Sequence, residues 1–168
     1  LVMRLAVFDF DGTLFRSPEA PAWHDKGWYV SQSSLGPPCV PQRPGPEWWI
    51  PKTVSAAKEA ISDPNTYAIM MTGRVDSIFR WRVPELLKQA GLNFEEVFLS
   101  TGGETSRFKL GVMAKVLRRY SFNKIEIWDD NSLYLQTYEK VLSKFFQVET
   151  HLIKAQLMEP LCGPGELD

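Results

Sequence analysis

Leu5-Ala6-Val7-Phe8-Asp9-Phe10-Asp11-Gly12-Thr13-Leu14 decides the fold: a short apolar run ends in two carboxylates one residue apart and is closed by a glycine. A run of that length bounded by a turn residue reads as a buried strand, so Asp9 and Asp11 leave its carboxyl end pointing the same way. Two like charges held that close call for a cation between them. Mg²⁺ is the hard ion that suits carboxylates and phosphate oxygens together, and it leaves one carboxylate free to attack phosphorus. Without that chemistry, D-x-D-G is a plain strand-to-turn exit, because Asp and Gly both favour turns.

Outward from this strand, apolar runs and helical patterns alternate. A helix is expected over 52–62, opened by Pro51 and stopped by Asp63-Pro64-Asn65. Tyr67-Ala68-Ile69-Met70-Met71 reads as a second strand that ends in Thr72-Gly73-Arg74. The pattern over 75–90 is an amphipathic helix with Pro84 as a kink and Gly91 as its stop. A third strand is expected over 94–99, a helix from Ser106, a fourth strand over 124–128 leaving through Asp129-Asp130-Asn131, a helix over 133–145 and a last strand over 146–153. Such alternation predicts an α/β protein: a parallel sheet between two helical layers, α/β/α and Rossmann-like, with its ligand crevice at the strands' carboxyl ends. The 168 residues suit one domain spanning 1–168.

The stretch from 15 to 51 breaks the pattern. It holds most of the prolines and four of the six tryptophans, Trp23, Trp28, Trp48 and Trp49, and Pro37-Pro38, Pro41, Pro44 and Pro46 exclude a regular helix or central strand. A long loop inside a compact domain is usually functional, so 15–51 is expected to be a small irregular lid beside the site. Its tryptophans, with Arg16, Lys26 and Arg43, suit either a base-stacking platform or a hydrophobic plug, and packing favours the plug.

The hydrophobic content of 44% and charged content of 23% are those of a globular protein, and no apolar run approaches a membrane span. A formal net charge of −1 supplies no global attraction to polyanions, so any nucleic-acid contact must be local. Arg80, Arg82 and Lys88 on the 75–90 helix read as a solvated face sooner than a phosphate track. The two cysteines, Cys39 and Cys162, form no CxxC and no His-Cys cluster. Neither a disulfide framework nor a zinc site is indicated, and a reducing, intracellular compartment (cytoplasm or nucleus) is the expectation. No secretory leader is expected from the residues before the first strand, and a chain starting at Leu1 is expected to be a domain cut from a longer polypeptide with further domains.

The run Asp9 to Leu14 resembles motif I of the haloacid dehalogenase (HAD) superfamily, DxDGT[LV], at every position. The resemblance implies a HAD-like fold in which Asp9 is the nucleophile of an aspartyl-phosphate. Asp11 would be the acid and base, with a pKa raised toward neutrality. Thr72 stands where motif II has its Ser or Thr, so its hydroxyl and the N–H groups around Gly73 would hold phosphoryl oxygens. Lys109 stands at motif III, with Arg107 a weaker rival, and would neutralise carboxylates and developing phosphoryl charge. Asp129 and Asp130 resemble motif IV. Asp130 would ligate Mg²⁺ with Asp9 and the Asp11 carbonyl, and Asp129 would act through a water, although the two could be exchanged.

Arg74 adds a forked donor suited to a phosphate with an organic tail, and the TGR ending is similar to that in the phosphatase half of polynucleotide kinase-phosphatases. A narrower resemblance, carried by 8–18, Trp48-Trp49, 71–74 and 128–131, is to the HAD domain of Swiss Army Knife RNA repair proteins. It implies a Mg²⁺-dependent phosphomonoesterase that removes a terminal phosphate from an RNA or DNA end, with Arg16 as a further phosphate contact. The alternatives are a phosphoprotein phosphatase and a catalytically silent module that binds RNA or protein.

Overall fold

The computed structural model describes residues 3–24 and 26–167. Leu1, the expected point of cutting, lies outside them. Five strands form one sheet: β1 (Met3–Phe8), β2 (Thr66–Val75), β3 (Glu96–Ser100), β4 (Phe122–Asp129) and β5 (Gln147–Leu152). The order is β3-β2-β1-β4-β5 and every pairing is parallel. The expected α/β fold is therefore the observed one, with β1 in the centre.

The period of two along β1 builds both cores. Leu5 and Val7 point into a cluster with Val112, Met113 and Val116 of α4 (Thr105–Leu117) and Leu135, Tyr138 and Leu142 of α5 (Ser132–Leu142). Ala6 and Phe8 point the other way, toward Ala57 and Ala60 of α1 (Pro51–Ser62) and Val83, Leu86 and Leu87 of α3 (Arg82–Gln89). A strand covered on both faces has no polar side to show, which is why its sequence reads as an unbroken apolar run. All the loops that follow β1, β2 and β4 consequently emerge at one edge.

The expected helix over 75–90 is two helices, a single turn α2 (Asp76–Phe79) and then α3. The break falls at Arg80-Trp81, which puts Pro84 in the first turn of α3. There its missing N–H leaves no hydrogen bond unmade, so Pro84 starts a helix and does not kink one. α5 also ends earlier than its apolar pattern, at Leu142.

Among the described residues, 15–50 contain neither strand nor α-helix, only three short 3₁₀ turns at Trp28–Val30, Gln32–Ser34 and Pro46–Trp48, and Pro51, the last residue of the expected lid, already opens α1. The lid's two ends are joined at its root by Arg16 N–H to the Trp48 carbonyl at 2.7 Å and Ile50 N–H to the Leu14 carbonyl at 2.9 Å. Its tryptophans form the plug. Trp28, Trp48 and Trp49 are buried, and Trp48 and Trp49 pack on Phe15 with ring centroids 5.9 and 4.9 Å away. Each such buried aromatic contributes about 2–3 kcal/mol. Only Trp23 among the four is exposed.

Arg82 is no phosphate track but a clamp on the lid: Nε donates to the Leu35 carbonyl, Nη1 to that of Gln42 and Nη2 to that of Pro41, at 2.7, 3.0 and 2.9 Å. Arg80 is spent on Asp76 at 2.7 Å. The cysteine reading is corrected as well. Cys39 of the lid and Cys162 near the carboxyl end are joined in a disulfide across 123 residues of sequence, because the lid folds back against the tail. No helix among the described residues is long and apolar enough to cross a membrane.

Candidate active site

A cavity of about 510 Å³ opens at the carboxyl edge of the sheet, lined among others by Asp9, Asp11, Gly73, Arg74, Lys109, Asp129 and Asp130. The strand ends deliver the acids and α4 delivers the lysine. Asn131 caps α5 by accepting from Tyr134 N–H at 3.1 Å, and Glu104 caps α4 by accepting from Ser106 and Arg107 N–H groups. These caps start the two helices at the site's rim and so fix where Lys109 and Tyr134 fall.

Asp9 is buried, and each of its carboxylate oxygens has a donor. Thr13 Oγ1 donates to Oδ2 at 2.9 Å, and Lys109 Nζ donates to Oδ1 at 2.9 Å. The same ammonium reaches Asp129 Oδ2 at 3.0 Å, tying β1 to β4. Burial alone would lower the Lys109 pKa, but the two carboxylates outweigh it and hold the ammonium charged. One cation does not balance the acids. Carboxylate oxygens of Asp9, Asp129 and Asp130 lie within 4.8 Å of one another. Burial first, then the charge of Asp129, pushes Asp9 well above the usual carboxylate range and Asp130 up to about 6.

An all-oxygen donor set with surplus negative charge fits a hard divalent cation such as Mg²⁺. Two glycines let the chain close in around these acids. At Gly12, whose φ is +72°, a Cβ would stand 2.5 Å from Asp130 Oδ2, so only glycine lets that carboxylate fold over the β1 exit. At Gly73 a Cβ would stand 2.9 Å from Thr105 Oγ1, where β2 and α4 close on one another.

Asp11 faces a different partner. Its side chain is held by Arg74, with Nη2 2.7 Å and Nε 3.1 Å from Oδ1, and by Ser17 Oγ at 2.5 Å. Burial would raise its pKa, but the guanidinium and the hydroxyl outweigh it and hold the carboxyl below its ordinary range. The expected rise toward neutrality is thus absent in this state, because Arg74 is turned on Asp11. Arg74 is itself buried between the rings of Tyr29 and Phe79, at 5.4 and 4.8 Å, and donates to the Tyr29 carbonyl and Ser34 Oγ of the lid.

The remaining expected residues fall differently. Thr72 is fully buried and its hydroxyl accepts from the Arg74 N–H at 3.1 Å. Arg16 turns to the root of the lid, where Nη1 donates to the Glu47 carbonyl at 3.0 Å, and it is not among the residues lining the cavity. The residues that sequence reasoning passed over are Thr13, Ser17, Tyr29, Ser34 and Tyr134. Thr13 and Ser17 lie within 8–18, where their hydroxyls stand close in sequence to the acids. Tyr29 and Ser34 carry no local signal, since only the folded lid brings them to Arg74.

The family model for HAD domain family 1 in Swiss Army Knife RNA repair proteins matches residues 19–159. The match begins beyond Asp9 and Asp11. Among solved structures, the chain is similar to the HAD domain of the effector protein Lem4 from Legionella pneumophila, an inactive mutant, with a TM-score of 0.61 at 12% identity over 99% of this chain and 89% of that one. At that identity the likeness concerns the fold. With the family match covering most of its length, the chain belongs to the HAD domain family 1 of Swiss Army Knife RNA repair proteins.

Proposed function

We propose that the chain is a Mg²⁺-dependent phosphomonoesterase that works through an aspartyl-phosphate on Asp9 and removes a terminal phosphate from a nucleic-acid end. The observation that carries this reading is the division of labour between two carboxylates on one loop. Asp9 is set among Lys109, Asp129 and Asp130, and Asp11 is set apart on Arg74 and Ser17. The nucleic-acid part rests on the family, whose members belong to RNA repair proteins.

Asp9, Asp129 and Asp130 would hold the Mg²⁺, which supplies charge to the phosphoryl oxygens when bound. Asp9 attacks phosphorus with one carboxylate oxygen as the ester P–O bond breaks, and Lys109 and Thr13 keep that carboxylate aimed. The leaving oxygen needs a proton, and Asp11 is the acid in reach. Its proton affinity depends on where Arg74 points. A phosphate entering the cavity competes for the guanidinium, and an Asp11 relieved of Arg74 returns toward the higher pKa its burial favours. Water then hydrolyses the acyl phosphate, with Asp11 taking the proton back.

The test is phosphate release from 3′-phosphorylated and 5′-phosphorylated RNA oligonucleotides with Mg²⁺, comparing the natural chain with Asp9→Asn. Release from one end only, abolished by the substitution, supports the whole reading. Turnover of an aryl phosphate or phosphopeptide alone keeps the chemistry and removes the substrate. Silence on every monoester removes both and leaves a binding module.

A further inference from the structure

The segment after β5 crosses the mouth of the cavity as a strap. Ile153 N–H donates to the Asp129 carbonyl at 2.9 Å as the strap leaves the sheet. Ala155 then lies 3.2 Å from where a side chain on Gly12 would begin, and Leu157 lines the cavity. Met158 pairs with the start of the lid, its N–H donating to the Ser17 carbonyl at 3.2 Å and its carbonyl accepting from Glu19 N–H at 2.9 Å. Leu161 N–H donates to the Cys39 carbonyl, and the next residue is the disulfide partner of Cys39.

Few other forces hold this segment. It contributes no strand to the sheet, and Leu161 leaves 61% of its surface exposed. Ile153 and Met158 pack on the core, but beyond them four backbone hydrogen bonds hold a segment whose residues 154–156, 159 and 161 are exposed, and such a segment opens locally at low cost. The covalent bond is the fastening. It also reaches the lid, because Cys39 and Cys162 pack with Trp28, whose Nε1 donates to the Pro18 carbonyl at 3.0 Å. Trp28 is followed by Tyr29, whose carbonyl holds Arg74. The disulfide thus closes a ring of contacts that includes Ser17, Gly12 and Arg74, the immediate neighbours of Asp11.

We propose that the Cys39–Cys162 pair is a redox latch: oxidised, it fastens the strap and lid around the cavity in the competent form, and reduced, it releases them and lowers turnover. The opening reaction takes a dithiol reductant. A thiolate attacks one sulfur and breaks the S–S bond to give a mixed disulfide. The reductant's second thiol then displaces it, leaving two protein thiols and an oxidised, cyclic reductant, so two electrons and two protons pass to the protein. The approach is on the Cys162 side: Cys39 is fully buried, whereas Cys162 keeps 7% of its surface exposed and lines a surface cavity of about 440 Å³ with Trp23, Glu159 and Pro160.

The effect on turnover rests on the phosphatase reading, whereas the opening of the strap does not, so both are measured. Hydrogen exchange at 27–40 and 153–162 and phosphate release with Mg²⁺ are followed before and after dithiothreitol, with thiols titrated. The expected result is no free thiol before reduction and two after. Exchange in both segments should rise at least about ten-fold with β1 and β4 unchanged, and kcat should fall at least about five-fold, returning on reoxidation. Cys39→Ser with Cys162→Ser should reproduce the reduced state and ignore the reductant, its fold checked by circular dichroism. Free thiols in the oxidised protein, or unchanged exchange and turnover with two thiols released, overturn the latch. Exchange that responds while no monoester is turned over in either state supports the opening of the strap, overturns its catalytic consequence and overturns the phosphatase reading with it.

Discussion

At the carboxyl edge of the sheet, Asp9, Lys109 and Asp129 sit on strand and helix ends that short apolar patterns define, whereas the lid over 15–51 keeps its place by contacts with distant residues. The two regions use arginine and lysine in opposite ways. At the edge, a cation is buried between carboxylates and balances charge that the fold has concentrated. In the lid, Arg82 satisfies backbone carbonyls that have no strand or helix to pair with, and Trp48 and Trp49 fill the space beneath. Irregular backbone can be held as firmly as a sheet when its carbonyls find donors.

That contrast predicts that changes at the edge abolish chemistry and changes in the lid cost stability first. Asp9→Asn should lower phosphate release by at least about 10³-fold without lowering the thermal midpoint, because it removes one of several crowded charges. A variant that keeps a tenth of the activity would place the nucleophile elsewhere. Lys109→Met leaves Asp9 and Asp129 facing each other in a buried site. It should cost about 3–5 kcal/mol in urea unfolding without metal, with saturating Mg²⁺ recovering part of the loss. Equal losses with and without Mg²⁺ would argue against a cation among these acids.

Arg82→Ala should cost about 2 kcal/mol by removing the clamp on three carbonyls, and should speed proteolytic cutting within 31–43. Unchanged cutting would mean that the aromatic plug holds the lid unaided. The smallest effect lies away from both regions, on the face of β4. Burial works against an ionised Glu126, but Arg4 at 2.9 Å, His151 at 3.0 Å and Lys124 outweigh it and hold its pKa down to about 2. Its contribution is present above the ordinary glutamate value and is lost as pH falls toward about 2. Discounted for solvent screening, Glu126→Gln should therefore reduce the fall in stability between pH 4.5 and 2 by about 1 kcal/mol, measured by urea unfolding at each pH. Parallel curves would remove the assignment.

The fold and the acids of the edge were legible because both depend on local pattern. A strand buried on two faces must read as Leu-Ala-Val-Phe, and the polar residues that follow it must lie at the crevice. The orientation of Asp11 was not legible, because Arg74 lies 63 residues away and nothing near either residue shows that they pair. The same holds for Tyr29 and Ser34, and for Cys39 with Cys162, where spacing gave no sign of pairing and only the return of the tail over the lid brings them together. The split of 75–90 was missed for a local reason: Pro84 fits a helix start as well as a kink, and the break at Arg80-Trp81 carries no Gly or Pro of its own.

The joined root of the lid has a consequence for how such a protein can change. Phe15 bridges Trp49 in antiparallel fashion, and the chain leaves and re-enters the domain through that single doorway. Whatever lies between those two residues is a cassette. Its length can grow or shrink at an entropic cost of only about 0.6 kcal/mol per doubling, with β1 and α1 keeping their places. Grafting a lid from a relative between residues 15 and 49, with Ser17, Tyr29, Ser34 and Cys39 carried over, is accordingly a route to a new substrate range on the same set of acids.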